Sequence, residues 1–250
     1  KFAGKTRCMN KLFLFCFILL MFASCNNEKA EGNATKTEPA HDSISAVPAK
    51  EKELLDAVHQ HPDSSVLKET LIQYYEDNAD YEKALKELNA WIAKDSLSDR
   101  LFDKRATIHF KDEDTVSAIT DFEHAIRIKA KPEYVIALGT LYAQTKNEQA
   151  LLIADELINS KADADKEGYF IKGLYYTFTN EKVKAIAWFD KCLSISYTFM
   201  DAYIEKSIAL YDLGKYQEAL DVLDKALTLQ NTFDEAYYYS GKCLEKMKRI

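Results

Sequence analysis

Small residues return at one phase of this chain: Ala106, Gly139, Gly173, Ser207 and Gly241 follow one another at intervals of 33, 34, 34 and 34 residues. Glycine inside a helix costs about 1 kcal/mol relative to alanine, so its return within amphipathic runs implies that a neighbouring helix needs the space. A second register repeats the first. Ala84, Ala118, Ala150, Ala185 and Ala219 are spaced by 34, 32, 35 and 34, each opening another helical stretch about twelve residues after a small site. Bulk follows one turn later at Leu88, Phe122, Phe189 and Leu223, then small side chains at Ala125, Cys192 and Ala226. Aromatic residues open the other set of helices at Phe102, Tyr169, Tyr203 and Tyr237. Each helix thus carries a stripe of bulk and a notch, the pattern of antiparallel helix pairs stacked on the next pair.

Composition supports helices joined by short turns. With 7 Gly and 4 Pro in 250 residues, an all-β sandwich or a loop-rich α/β enzyme is disfavoured. A hydrophobic fraction of 47% is enough to bury a core, which excludes global disorder.

The clearest copy reads Ala202-Tyr203, Ser207, Leu210, Leu213-Gly214-Lys215-Tyr216, Glu218-Ala219-Leu220, Leu223 and Lys225-Ala226-Leu227. On these residues the chain resembles the tetratricopeptide repeat, and the resemblance runs over residues 63–250. It implies an all-α fold, a right-handed α-solenoid of stacked antiparallel helix pairs. Five full repeats are expected at 63–96, 97–130, 131–165, 166–199 and 200–233, followed by a partial sixth, with residues 51–62 as a solitary second helix capping the front. The first repeat departs from the pattern, with Lys68 for an aromatic, Ile72 at the small site and Trp91 for alanine. The third is one residue short at its turn and recovers it between Ser160 and Lys166. The sequence ends within a sixth first helix, at Met247-Lys248-Arg249-Ile250, and a reading frame cut short is expected there.

The first 24 residues read differently. They hold four of the 33 basic residues (Lys1, Lys5, Arg7, Lys11) and none of the 40 acidic ones, leaving 29 against 40 in the body. A body that acidic repels phosphate backbones, so nucleic acid is not an expected partner. From Leu12 to Ala23 the sequence is unbroken apolar after Lys11. It is too short for a bilayer span of roughly 20 residues and suits the hydrophobic region of a secretory signal, with Met9 as the translation start and residues 1–8 as an upstream remnant. Phe22-Ala23-Ser24-Cys25 resembles the lipobox of bacterial lipoproteins, although Phe22 stands where that family has an aliphatic residue. The resemblance implies acylation of Cys25, each chain adding about 0.8 kcal/mol per buried CH₂. Residues 25–50 then form a polar tether with a reach of roughly 25–30 Å. The expected address is a bacterial cell envelope, the outer membrane rather than the inner one because Asn26 and Asn27 replace a retaining Asp.

No convergent catalytic constellation stands out, and no cofactor or metal is expected. His59 and His61 suit the dipole at a helix end before Pro62. His109 falls on the buried stripe, and His124 beside Glu123 reads as surface. Glu133, Glu167, Asp201 and Glu235 recur at helix N-termini, where a negative charge stabilises by roughly 0.3–1 kcal/mol. Cys8 and Cys16 would leave with the signal. Cys192 and Cys243, 51 residues apart, hold no metal spacing, and a bridge between them stays open.

In the resembled family the first helices line a concave groove that holds peptide segments or protein elements. The corresponding row here is Ile136 and Thr140, Phe170 and Leu174, Ile204 and Ile208, then Tyr238 and Lys242, extended by Phe110 and Tyr211. These side chains are expected to face away from their own partner helices and to dock an apolar or aromatic segment of another protein. The alternative occupants are an absent last helix or a second copy, the latter giving a homodimer through the C-terminal helix. Glu69, Asp103, Gln73 and Thr107 stand where chaperone-tail binders of the family need Lys and Asn, which disfavours a carboxylate clamp. The functional expectation is a lipid-anchored, non-enzymatic scaffold for envelope proteins. A glycan- or nutrient-binding lipoprotein, with some of its 15 Tyr and 13 Phe as stacking platforms, is the alternative.

Overall fold

The computed structural model describes residues 47–160 and 164–248. The signal sequence, Cys25 and nearly all of the tether lie outside them. Twelve α-helices and no strand occur among the described residues: α1 (Ala49–Gln60), α2 (Ser65–Asp77), α3 (Tyr81–Ile92), α4 (Asp99–Lys111), α5 (Thr115–Ile128), α6 (Pro132–Gln144), α7 (Gln149–Asn159), α8 (Asp165–Phe178), α9 (Lys182–Ile195), α10 (Met200–Asp212), α11 (Tyr216–Leu229) and α12 (Asp234–Lys246). Packing divides the chain between Tyr74 and Tyr75, inside α2. In the first part Leu54 of α1 and Leu71 and Ile72 of α2 are buried.

In the second part each even-numbered helix from α4 to α10 packs on the odd-numbered helix that follows it, and that helix packs on the next even one. The first helices α6, α8, α10 and α12 also touch in succession. Substantial contacts reach no further along the order, which describes an open stack rather than a closed bundle.

The recurring small residues explain how the pairs close. A Cβ on Gly173 of α8 would lie 2.5 Å from Cδ1 of Phe189 in α9. Phe189 is fully buried, which contributes roughly 1.5–3 kcal/mol, and close packing of protein interiors makes displacing such a ring costly. At Gly139 the same addition would meet Ile171 at 2.8 Å and Ile153 at 2.9 Å. Ala106 has no exposed surface and Ser207 has 1%, its hydroxyl donating to the Ile204 carbonyl at 2.7 Å. The second register behaves alike: Ala84, Ala118, Ala150, Ala185 and Ala219 are all fully buried.

Gly241 is the exception. It is exposed, and a Cβ there would meet nothing within 4 Å. Tyr237 is 55% exposed, whereas Tyr203, one repeat earlier, is 8% exposed. Both differences have one cause: α12 is the last helix of the described residues, so the second helix that covers these positions elsewhere is not beside it.

A periodic feature of the turns was hidden in the sequence. Ala79, Glu113, Lys146, Asn180, Gly214 and Lys248 all have positive φ, from 53° to 74°, one after each first helix from α2 onward. From Ala79 to Gly214 the next amide reaches back to a carbonyl five residues earlier, as Asp114 N–H does to His109 at 2.8 Å and Lys215 N–H to Leu210 at 2.9 Å. The following residue often caps the second helix: Asp80 accepts from the Lys83 amide at 3.3 Å and Asp114 from the Ser117 amide at 3.1 Å. Only Gly214 and Asn180 have residue types suited to left-handed backbone, so glycine spacing could not reveal the turns.

The third pair is irregular, as the short turn foretells: Lys146 precedes Ala150 by four residues, where Glu113 precedes Ala118 by five. Ala154 occupies the place of Phe122 and Phe189, and α8 comes close there. A Cβ on Gly168 would lie 2.6 Å from the Ala154 carbonyl oxygen. Cys192 and Cys243 are both buried free thiols, so no bridge joins them.

Gly173→Ala should destabilise the protein by about 1–3 kcal/mol through overpacking, despite alanine's better helix propensity. Gly241→Ala should instead stabilise it by about 1 kcal/mol. Urea denaturation of both variants checks the pair; equal shifts of the same sign would contradict the packing described.

Candidate protein-binding face

The row of first-helix residues expected to line a groove does not form one set. Phe170 is 6% exposed, Leu174 0% and Ile204 8%, so these three belong to the core. The Phe170 ring lies 5.8 Å from that of Phe189 in its own partner helix and 5.0 Å from that of Phe199. The expectation that they lack an intramolecular partner is therefore corrected. Each of α8 and α10 is flanked by a first helix on both sides as well as by second helices, so little of its circumference stays open.

Phe110, Ile136, Thr140, Ile208 and Tyr211 are half-buried, and Tyr238 is exposed. Thr140 donates its hydroxyl to the Ile136 carbonyl at 2.9 Å. Ile208 and Tyr211 pack against the C-terminal core from its edge, and Tyr238 meets Tyr239 edge-on at 5.1 Å. Accessible apolar surface in the row is thus narrowed to Phe110, to Ile136 beside Thr140, and to the Ile208, Tyr211 and Tyr238 stretch.

Toward the N-terminal end of the second part, polar groups satisfy one another. Glu76, buried at the end of α2, receives Lys104 at 2.7 Å and Lys111 at 3.1 Å. Arg105 holds Asp121 in a two-pronged contact at 2.7 and 2.6 Å and donates to Asn89 at 2.6 Å, joining α3, α4 and α5. The Lys131 ammonium lies 2.6 Å from Asp99, to which Tyr134 also donates at 2.9 Å. The hydrogen bond from Lys131 is the main reason the Asp99 carboxyl is held below its ordinary range.

The C-terminal end is different. Glu133, Glu167, Asp201 and Glu235 do stand in first turns. Yet burial pushes the carboxyls of Asp201 and Glu235 up, with Asp201 and Asp234 adding at Glu235. Glu205, on the same helix as Asp201, is pushed up to about 7 by burial first, with Asp201, Glu235 and Asp212 adding and Lys182 opposing. Sequence reasoning missed Glu205. The available signal was its register: 34 residues to either side stand Ile171 and Tyr239, so a carboxylate occupies a position its neighbours fill with apolar and aromatic side chains.

Among the described residues no group of three or more His, Cys, Asp or Glu is placed to hold a metal ion. His59 and His61 are exposed. His109 is half-buried beside Asp114 and Asp121, and His124 is exposed with its ring stacked 5.2 Å from Phe102. Burial pushes the Cys192 thiol up to about 12, which leaves it unreactive at neutral pH. Trp188 is no open sugar platform: Tyr169 stacks on it at 5.9 Å, and Lys172 and Lys191 lie over it at 4.5 and 4.0 Å.

The Glu205 carboxyl has an ordinary value of 4.5 and a folded value of about 7, so the folded state holds the proton more tightly. The group is harmless below about pH 4.5 and costs stability progressively as pH rises toward 7. Glu205→Gln should accordingly gain on the parent between pH 5 and 8, by on the order of 2–3 kcal/mol at the upper end. Urea midpoints across that range test this; a constant difference at every pH would contradict it.

Residues 167–199, spanning α8 and α9, match a tetratricopeptide repeat model, and residues 209–248 match a second model of a TPR repeat. An uncharacterized protein of Methanocaldococcus jannaschii is 28% identical over 74 residues, 30% of this chain and 86% of that protein. Among solved structures, a tetratricopeptide repeat protein from Parabacteroides merdae superposes with a TM-score of 0.64 at 17% identity, covering 80% of this chain and 79% of the other. PilW, a widely conserved type IV pilus biogenesis factor, gives 0.58 at 17% identity, covering 74% and 88%. At such identities the likeness concerns the fold. Tetratricopeptide repeats are thus matched at residues 167–199 and 209–248, and the described helices stack as the all-α solenoid of those solved neighbours.

Proposed function

We propose that this chain is a non-enzymatic scaffold that holds a polypeptide segment of another protein on its first-helix face, lipid-anchored through Cys25 at a bacterial envelope, on the outer membrane. The observation that carries the scaffold reading is the partial exposure of Ile136, Ile208, Tyr211 and Tyr238 on first helices that touch in succession. Apolar side chains left at the edge of a core gain by being covered, at about 25 cal/mol per Å² removed from water. The anchor reading is supported by the apolar run before Cys25 and the polar stretch after it. No described helix is long and apolar enough to cross a membrane. Confinement to a surface would raise the effective concentration of the scaffold toward partners on that surface, while the stacked repeats supply contact area.

Phe170 and Ile204 are unsuitable for testing this face, because charging a core position would unfold it. The double variant Ile208→Ser with Tyr238→Ser should lower capture of solubilised envelope proteins by the full chain at least tenfold, on the order of 1.4 kcal/mol, with circular dichroism unchanged. Undiminished capture would contradict the docking face. Separately, Cys25→Ala expressed in a bacterial host should lose incorporation of labelled palmitate and move from the membrane pellet to the soluble fraction; a variant that stays labelled and sedimented would refute the anchor.

A further inference from the structure

Two neighbouring turns of the array carry no charge. Residues 192–200 and 226–233 hold no Asp, Glu, Lys, Arg or His, in a chain that is 29% charged. Both turns close alike. The Ser196 and Gln230 amides donate to the Cys192 and Ala226 carbonyls at 2.9 Å, and the Phe199 and Phe233 amides to the Ser196 and Gln230 carbonyls at 3.1 and 3.2 Å. Helices α9 and α11 both pack on α10 and join it through short turns, so both run antiparallel to it, and the turns after α9 and α11 stand at one end. Phe199 and Phe233 plug the core: the first ring lies 5.0 Å from Phe170, and the second side chain is buried. Left outside are Ile195, 53% exposed, Tyr197, 66%, and Leu229, 43%. The corresponding turns before α4 and α6 are charged, with Lys94 and Asp95 in one and Lys129 and Lys131 in the other.

The size of this patch decides what can cover it. A stable protein interface removes about 800 Å² from each partner over roughly 20–30 residues, more than three side chains on two turns supply. A bilayer asks less of an anchored body, because the lipid already confines that body to the surface. Aliphatic tips enter the boundary between headgroups and acyl chains, and tyrosine sits there with its ring inside and its hydroxyl in water. The Ser, Thr, Asn and Gln around them cost less to bring there than charges do. Charge resumes behind the tips, with Lys191 and Lys225 one turn back on α9 and α11 and with Asp201 and Asp234 opening α10 and α12. Those carboxylates, and the 29 basic against 40 acidic residues beyond position 24, oppose an anionic surface and leave a zwitterionic one.

We propose that the end of the array formed by the 196–199 and 230–233 turns rests on a zwitterionic lipid surface, with Ile195, Tyr197 and Leu229 entering its headgroup layer. The inference rests on the anchor at Cys25 and adds the orientation in which the anchored scaffold stands.

The full chain, processed in a bacterial host and reconstituted on vesicles of phosphatidylcholine and phosphatidylethanolamine, tests it. An environment-sensitive dye is placed at Thr198→Cys or, at the opposite end, at Val116→Cys, and its quenching by brominated lipid is read. Both positions are exposed, whereas Cys192 and Cys243 are buried. The Thr198 dye should be quenched at least threefold more than the Val116 dye, and Ile195→Ser with Leu229→Ser should remove the difference with circular dichroism unchanged. Equal quenching on protein that floats with the vesicles would overturn the lipid-facing end while the anchor stands. Protein that does not float would overturn both. Shielding of the Thr198 dye from aqueous iodide without vesicles would overturn the proposal in favour of a second copy at this end.

Discussion

A helix stripped of side chain at one point lets a buried ring enter, and the spacing of the stack follows from that fit. Gly173 and Phe189 show it in its tightest form, with no room for a single Cβ between α8 and α9. Gly139 meets both its partner helix and the next first helix through Ile153 and Ile171, so one small residue sets two interfaces. At α12, the last helix of the described residues, the same register holds an exposed glycine and an exposed tyrosine. Small residues at this phase therefore mark a place for a neighbour, and burial appears only when the neighbour is there.

The same close stacking decides how much of the chain is left for binding. Second helices and adjoining first helices cover so much of α8 and α10 that Phe170, Leu174 and Ile204 are drawn into the core. What remains open differs along the array. Near α2 and α4 the carboxylate of Glu76 is matched by two lysines, whereas on α10 burial pushes the Glu205 carboxyl up and toward α12 Tyr211, Tyr238 and Tyr239 gather around Lys242.

Helix pairing, the third pair's short turn and the buried alanines were legible in the sequence because a fixed period is a property of the covalent chain. Degree of burial on the first helices was not. Positions four residues apart were grouped on one face, but how far that face stays open depends on the angular reach of neighbours that no single repeat encodes. Left-handed turn residues stayed hidden for another reason: Ala79, Glu113 and Lys146 adopt positive φ at some cost, Asn180 more readily, and none carries the glycine mark. Glu205 was visible only by comparing register across repeats, as a charged residue between Ile171 and Tyr239.

The most direct measurement is a double-mutant cycle across the α8 and α9 notch, joining Gly173→Ala with Phe189→Leu in urea denaturation. If ring and glycine occupy one shared volume, trimming the ring should relieve the added methyl, leaving the double variant at least about 1 kcal/mol more stable than the sum of the single losses. Losses that add to within about 0.3 kcal/mol would mean the two residues do not press on each other, and the spacing of the stack would need another cause.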